Sequence, residues 1–485
     1  MIAPYWQNYI DGHFVDGGAG RLTVENPATQ APLAEQALAN AADIDKAVAA
    51  ARRCHESGAL SNMRPCDRGR MVHEMGLWIS RNADEIASIH TLDNGKPLWE
   101  SKKEIAGAVR YFEYYGQMAQ TLEGASIPLG AGYLDFTLLE PYGVSAQIIP
   151  WNFPFEIAAR SIAAGLATGN ACIVKTPELA PLSSTYLARA AQAAGFPPGA
   201  LNILCGHGHE AGAALAAHAK INQMVFTGSV ETGVKIATAT AQNIVPNVLE
   251  LGGKSAAIIH KDADLDLVMR SVRLGIFLNS GQVCSAMSRA LVHASIHDEF
   301  VERAAALARS LSVGPGIERH EFGPNMGAMI SQKQRERAEG LCARAEKAGA
   351  RACTGGRKLN REGVFLEPTI LDRVDPASEI AQTEVFGPVL SVIGFSDENE
   401  AIAIANATQY GLVGGVFTPD IDLALSTAKQ MRGGQIFINE WFAGGVETPF
   451  GGYGKSGYGR EKGREALLNY VQTKNIAIRL DRETD

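Results

Sequence analysis

The chain has 485 residues, 46% apolar and 20% charged, with 44 basic and 52 acidic side chains and a formal charge of −8. This apolar content excludes intrinsic disorder, the acidic balance argues against a nucleic-acid surface, and no window approaches the roughly 18 uninterrupted apolar residues of a membrane span. At about 150 residues per domain the length predicts roughly three units.

Residues 40–125 place apolar side chains at helical spacing, through Ile44, Val48 and Ala49 and later Ile86, Ile89 and Leu92, with Asp43 or Asp45 near a helix start. Residues 133–140 alternate imperfectly and read as a strand, broken by Pro141-Tyr142-Gly143. Apolar runs at 146–149, 171–174, 201–204, 224–226 and 248–251 then alternate with helical stretches such as 158–167 and 186–194. That alternation predicts a parallel α/β sheet. A second α/β series runs from Asp262 to about Glu440, with helices near 298–311 and 332–348 and strands near 389–393 and 435–438. Residues 476–480 read as a final strand.

The seven cysteines sit singly, without the spacing of a zinc knuckle, and no metal site is expected. The first residues have neither a basic n-region nor an apolar h-region, so free thiols in a reducing cytoplasm are the expectation.

Four clusters carry possible chemistry. In Pro150-Trp151-Asn152-Phe153-Pro154, a held amide either donates to a developing oxyanion or satisfies the turn backbone. In Val174-Lys175-Thr176-Pro177-Glu178, a lysine at a strand end meets phosphate or ribose, or forms a surface ion pair. Phe226-Thr227-Gly228-Ser229, followed by Gly233, runs from strand into helix and leaves backbone amides for an anion, although it is not the G-x-G-x-x-G fingerprint. Finally, Glu250 lies between leucines, which suits a base of raised pKa, and Cys284 follows Ser-Gly-Gln near a turn. By itself that thiol is either a reagent or a buried core cysteine.

Taken together and in order, these blocks resemble the NAD(P)-dependent aldehyde dehydrogenase superfamily over nearly the whole chain. The match continues through Glu250-Leu251-Gly252-Gly253-Lys254, Gly281-Gln282-Val283-Cys284, Glu384-Val385-Phe386-Gly387-Pro388, Pro449-Phe450-Gly451-Gly452 and Ser456 to Glu461. The resemblance implies two doubly wound parallel-sheet α/β domains and a small β oligomerisation element. Residues 1–122 and 142–252 would bind NAD, 253–470 would form the catalytic domain, and 123–141 with 471–485 would assemble a homodimer or homotetramer. It implies Cys284 as nucleophile, Asn152 as oxyanion donor, Glu250 as base and Glu461 as its helper. Trp151, Lys175, Glu178, Gly228, Ser229, Gly233, Leu251, Glu384 and Phe386 would hold the cofactor. Glu178 would favour NAD, with NADP the weaker alternative.

Two positions depart from the family pattern. Many members carry a lysine where this chain has Ser161, and many carry an aromatic where it has Arg160. Arg160 resembles the carboxylate-binding arginine of succinic-semialdehyde-type members; the competing reading pairs it with Glu156 one helical turn earlier. Phe153, Trp441 and Phe450 would line the substrate path, which points instead to an aromatic or aliphatic aldehyde. The alternatives to hydrolytic aldehyde oxidation are a CoA-acylating member and a catalytically silent binding or structural member.

Overall fold

The computed structural model describes residues 2–317 and 324–480. The helical stretch resolves into Ala41–Glu56, Pro65–Arg81, Ala83–Asn94 and Leu98–Met118. The first is capped by Asn40, whose side chain accepts from the Asp43 amide while Asp43 accepts in return from the Asn40 amide. Asp43 is therefore the partner of the cap rather than the cap itself.

The first large sheet has five parallel strands at its centre: Asn247–Glu250, Gln223–Thr227, Val144–Ile148, Ala171–Thr176 and Leu201–Cys205, in that spatial order. The chain moves outward from Val144–Ile148 in one direction, then crosses back to its other side. Strand order thus reverses between Val144–Ile148 and Gln223–Thr227. In such sheets the crevice beyond the carboxyl ends at this switch point is where ligands bind. The second sheet carries parallel strands Thr369–Asp372, Val389–Phe395, Arg289–His293, Ala256–Ile259, Val413–Phe417 and Gln435–Ile438, with Arg351–Thr354 antiparallel at one edge. Each sheet has its own apolar core. Tyr133–Pro141 pairs antiparallel with Val471–Arg479 along its full length, and Ser126–Ile127 adds a third strand. Residues 481–485, assigned to the same element from sequence, lie outside the described residues. Among the described residues no helix is long and apolar enough to cross a membrane.

The unit boundaries differ from the expectation in one respect. Gly457–Tyr458, expected in the second domain, pairs antiparallel with Asn247–Glu250 at the edge of the first sheet. Val446, Ala466, Leu467 and Tyr470 also join the first core. The physical reason is local: Gly457 has φ +107, and a Cβ there would stand 1.9 Å from the Leu249 carbonyl oxygen. Glycine alone lets the returning chain lie this close. Near the N-terminus, short strands such as Asn8–Ile10 and His13–Val15 extend the opposite edge of the sheet. They are too brief to show a period.

Gly457→Ala is expected to lower stability by at least about 2 kcal/mol, from positive φ and backbone overlap together. A fall in the thermal or denaturant midpoint checks this, with Gly208→Ala as control, because Gly208 is not in the positive-φ region and a Cβ there meets nothing.

Candidate active site

The switch point opens into a cleft of about 380 Å³. Its walls include Trp151 and Asn152 from the end of one central strand, Gly228 and Ser229 from the end of the other, and Glu250, Cys284, Glu384 and Phe386. Side chains distant in sequence thus meet where the fold rule places a ligand.

Cys284 follows a strained turn. Asn279, Ser280 and Gly281 have φ +47, +53 and +70 in succession. A Cβ on Gly281 would lie 2.1 Å from the Gly387 carbonyl oxygen. The turn is fixed at every step: the Asn279 amide donates to Glu100 Oε2 (2.8 Å), Ser280 Oγ to the Gly327 carbonyl (2.9 Å), and the Ile330 amide to Gln282 Oε1 (2.9 Å). The Cys284 side chain is only partly exposed. Burial pushes its thiol up to about 12, the carboxylates of Glu384 and Glu250 add to the rise, and Arg160 opposes it. The resting sulfur is therefore a protonated thiol that needs a base.

Glu250 lines the same cleft as Cys284. It is buried, and neither carboxylate oxygen has a hydrogen-bond partner among the described residues. Burial raises its pKa well above the ordinary 4.5, while Arg160 and Arg460 pull it back and Glu461 adds to the rise.

Asn152 is held from several sides. Its Nδ2 donates to the Gln282 carbonyl at 3.0 Å, which uses one of two amide hydrogens. Its own carbonyl accepts from Lys96 Nζ (2.9 Å) and Asn279 Nδ2 (2.8 Å). Lys96 is buried, with Nζ 2.5 Å from Glu104 Oε2, and that same oxygen lies 2.7 Å from His90 Nε2. Burial pushes Glu104 upward, but His90 and Lys96 overcome it and hold the group down at about 2. Lys96 and Glu104 were not singled out from sequence, because a lysine after Gly and a glutamate on a helix look like surface residues. The Lys96 ammonium also lies 4.1 Å from the Phe153 ring centroid.

Arg160 does not face the cleft. Its Nε lies 2.5 Å from Glu461 Oε2, and its Nη2 donates to Thr227 Oγ1 at 3.4 Å. Its carboxylate partner is Glu461, not Glu156. Glu461 is buried and also accepts from Ser161 Oγ (3.3 Å) and Tyr470 Oη (3.4 Å). The cation beside Glu461 is thus supplied from position 160, and Ser161 adds only its hydroxyl. Trp441, expected on the substrate path, is 2% exposed and donates through Nε1 to the Ser285 carbonyl at 3.0 Å. It packs beneath the Cys284 segment because Gly275 and Gly415 leave room for its ring. Phe153 and Phe450 flank the core cluster that Cys284 touches.

The remaining wall suits a dinucleotide. Ser229 caps helix Val230–Ala241 by accepting from the Thr232 amide, so the positive helix end faces the cleft. Lys175 and Glu178 lie outside this lining: Lys175 Nζ meets Glu178 Oε2 at 3.1 Å, and Glu178 faces a separate pocket with Leu179 and His207. Burial raises the Glu178 pKa, but Lys175 lowers it further, so the net position is below the ordinary value. Glu384 Oε1 accepts from the Gly253 amide at 3.0 Å, and burial pushes Glu384 up to about 7. A Cβ on Gly252 would lie 2.3 Å from Glu384 Oε2, so glycine makes this approach possible. Phe386 (φ +57) meets Trp151 edge-on at 5.3 Å. Leu251 lines the cleft and fills the space that Gly233 leaves. Two contributors went unseen in the sequence: Arg337 donates to the Glu384 and Val385 carbonyls and Gln334 to that of Phe386, fixing this segment from helix Gln332–Lys347. They occupy an ordinary amphipathic helix and leave no motif.

Lys96→Met leaves the Glu104 charge buried with His90 and the Glu156 amide as its remaining partners. A loss of about 3–5 kcal/mol is expected in denaturant unfolding. Adding Glu104→Gln should restore part of that loss.

The sequence profile of the aldehyde dehydrogenase family matches residues 14–476. An aldehyde dehydrogenase of Aspergillus niger is 40% identical over 97% of this chain and 95% of its own. Human retinal dehydrogenase 2 is 39% identical over 98% and 92%. The NAD+ complex of aldehyde dehydrogenase from Bacillus cereus superposes with a TM-score of 0.96 at 37% identity, covering 98% of this chain and 97% of that one. With the cleft at the switch point and these likenesses along its length, the chain belongs to the aldehyde dehydrogenase family.

Proposed function

We propose that the protein oxidises an aldehyde to its carboxylic acid with NAD as hydride acceptor and water as the final acyl acceptor. The observation that carries this reading is the meeting of a thiol, a half-used amide and an unpartnered buried carboxylate in one cleft. Lys175 and Glu178 would hold the adenosine ribose, and Gly228, Ser229 and the helix end beyond them the pyrophosphate. Trp151, Leu251 and Gly233 shape the walls, and Glu384 and Phe386 take the nicotinamide ribose. Glu178 would repel a 2′-phosphate, which favours NAD over NADP.

Ionised Glu250 accepts the Cys284 proton, and the sulfur attacks the carbonyl carbon to give a thiohemiacetal. The second Asn152 amide hydrogen and the Cys284 backbone N–H steady the oxyanion. When bound, NAD supplies the hydride acceptor that turns this adduct into a thioester. After passing that first proton to solvent, Glu250 takes a proton from water as the water oxygen attacks the acyl carbon, freeing the acid and the Cys284 thiolate. A base buried without a partner favours water over CoA, which needs no such activation, and favours catalysis over a silent role. Glu461 acts behind Glu250 through its bond to Arg160. Phe153 and Phe450 remain as apolar walls for the aldehyde chain.

The exposed apolar side chains of the three-stranded sheet, Tyr133, Leu134, Leu138 and Ile478 among them, support assembly into a homodimer or homotetramer. The seven free thiols support a cytoplasmic setting.

Purified protein is expected to form NADH from aldehyde without CoA and to work less well with NADP; an absolute need for CoA contradicts the reading. Both Glu250 and Cys284 act deprotonated, and both are shifted upward. Activity should therefore rise with pH, with its acid limb well above the ordinary carboxylate value of 4.5. Glu250→Gln should lower kcat by about 10²–10⁴-fold and leave only the part of that limb set by Cys284. Asn152→Ala should lower kcat by about 10²–10³-fold.

A further inference from the structure

With Arg160 taken by Glu461, a different cation, Lys462, lies beside Phe450, a member of the core cluster against which Cys284 packs. Lys462 directly follows Glu461, and its backbone lies in the left-handed region at φ +64. Its neighbours fix it there. Glu461 and Phe450 exchange amide–carbonyl bonds of 2.7 Å each, and the Gly463 amide donates to the Val446 carbonyl at 2.8 Å. The Lys462 ammonium lies 5.7 Å from the Phe450 ring centroid. It is half-buried, and among the described residues its ammonium makes no hydrogen bond or ion pair. Burial lowers its pKa; the charges that act on it are Glu156, Arg160, Glu447 and Cys284.

Two of those carboxylates could have neutralised it. Glu447 is engaged by Arg110 Nη2 at 2.9 Å. Glu156 lies over Gly107, where a Cβ would stand 2.9 Å from its Oε1, and its carboxyl also makes no hydrogen bond or ion pair among the described residues. Burial pushes Glu156 up to about 7. Near neutrality it is therefore about half protonated, and that form donates rather than repels. An uncommitted ammonium and a carboxyl able to donate thus share the neighbourhood of Phe450 and the Cys284 thiol. A neutral aldehyde tail leaves that ammonium poorly solvated; a carboxylate tail gives it a partner.

We infer that Lys462 determines specificity for an aldehyde whose far end carries a carboxylate. This rests on the reading that Cys284 attacks aldehydes. The anionic substrate anticipated from Arg160 is kept, and the residue that recognises it changes.

Steady-state kinetics on 4-oxobutanoate against butanal, and 5-oxopentanoate against pentanal, test the inference. The readout is the ratio of kcat/KM within each pair. The wild type should favour the carboxylate-bearing member of at least one pair by roughly tenfold or more. Lys462→Gln should lose most of that ratio, and Lys462→Arg should keep it. A ratio near one in the wild type, or one unchanged in Lys462→Gln, overturns the assignment while leaving aldehyde oxidation intact. Absence of NADH from all four aldehydes would instead contradict the underlying reading.

Discussion

Glu250 is taken out of water without a hydrogen bond to replace the lost solvation, and the architecture around the cleft is arranged about that fact. A buried carboxylate in this condition favours its neutral form, and holding it charged costs several kcal/mol in a low-dielectric site, of the order of the effective penalty for any buried ion. Two arginines reduce the penalty without abolishing it, because neither bonds to the group. Arg160 is locked onto Glu461, and Arg460 donates to the Gly452 and Gly459 carbonyls. The result is a carboxylate reactive enough to take a proton and still able to ionise. A direct salt bridge at Glu250 would have held it permanently charged and made it a weaker base.

The same arrangement gives a physical sense to Ser161. The lysine common in relatives at that position can shed a proton, whereas the guanidinium of Arg160 stays charged at any relevant pH. Glu461 keeps a cationic partner here, with Ser161 and Tyr470 completing its shell. Arg160 therefore acts as a fixed field on Glu250 and is not a proton carrier. Rigidity reaches the other side of the cleft through a buried hydrogen-bonded chain, His90 to Glu104 to Lys96, ending on the Asn152 carbonyl. Helix Leu98–Met118 is thereby tied to the turn that carries Asn152.

What the sequence makes legible follows from how local its cause is. Parallel strands buried on both faces read as apolar runs, so the five central strands of the first sheet are visible in the order of residues alone, with Val389–Phe395 and Gln435–Ile438 of the second, while Ala256–Ile259, Arg289–His293 and Val413–Phe417 go unread. Cys284, Glu250 and Asn152 stand in dense motifs with Gly or Pro, where backbone demands restrict the residue choice. Contacts that depend on tertiary return are not visible. Gly457–Tyr458 sits in a stretch with no strand period, and its place in the first sheet depends on Leu249, which lies far away in sequence. The Arg160–Glu461 pair spans about three hundred positions, so helical spacing pointed to Glu156 instead. Trp441 looks like a substrate wall from its glycine-rich surroundings, but Gly275 and Gly415, which make its pocket, come from other elements.

The central claim is that Cys284 carries the acyl group and that Glu250 releases it. Intact-protein and peptide mass spectrometry on Glu250→Gln, mixed with aldehyde and NAD and quenched in acid, tests it directly. The account predicts an acyl adduct on Cys284 that forms slowly, because the thiol has lost its base, yet outlives that of the wild type and is absent without NAD. Turnover with no adduct, or an adduct on another residue, would contradict it.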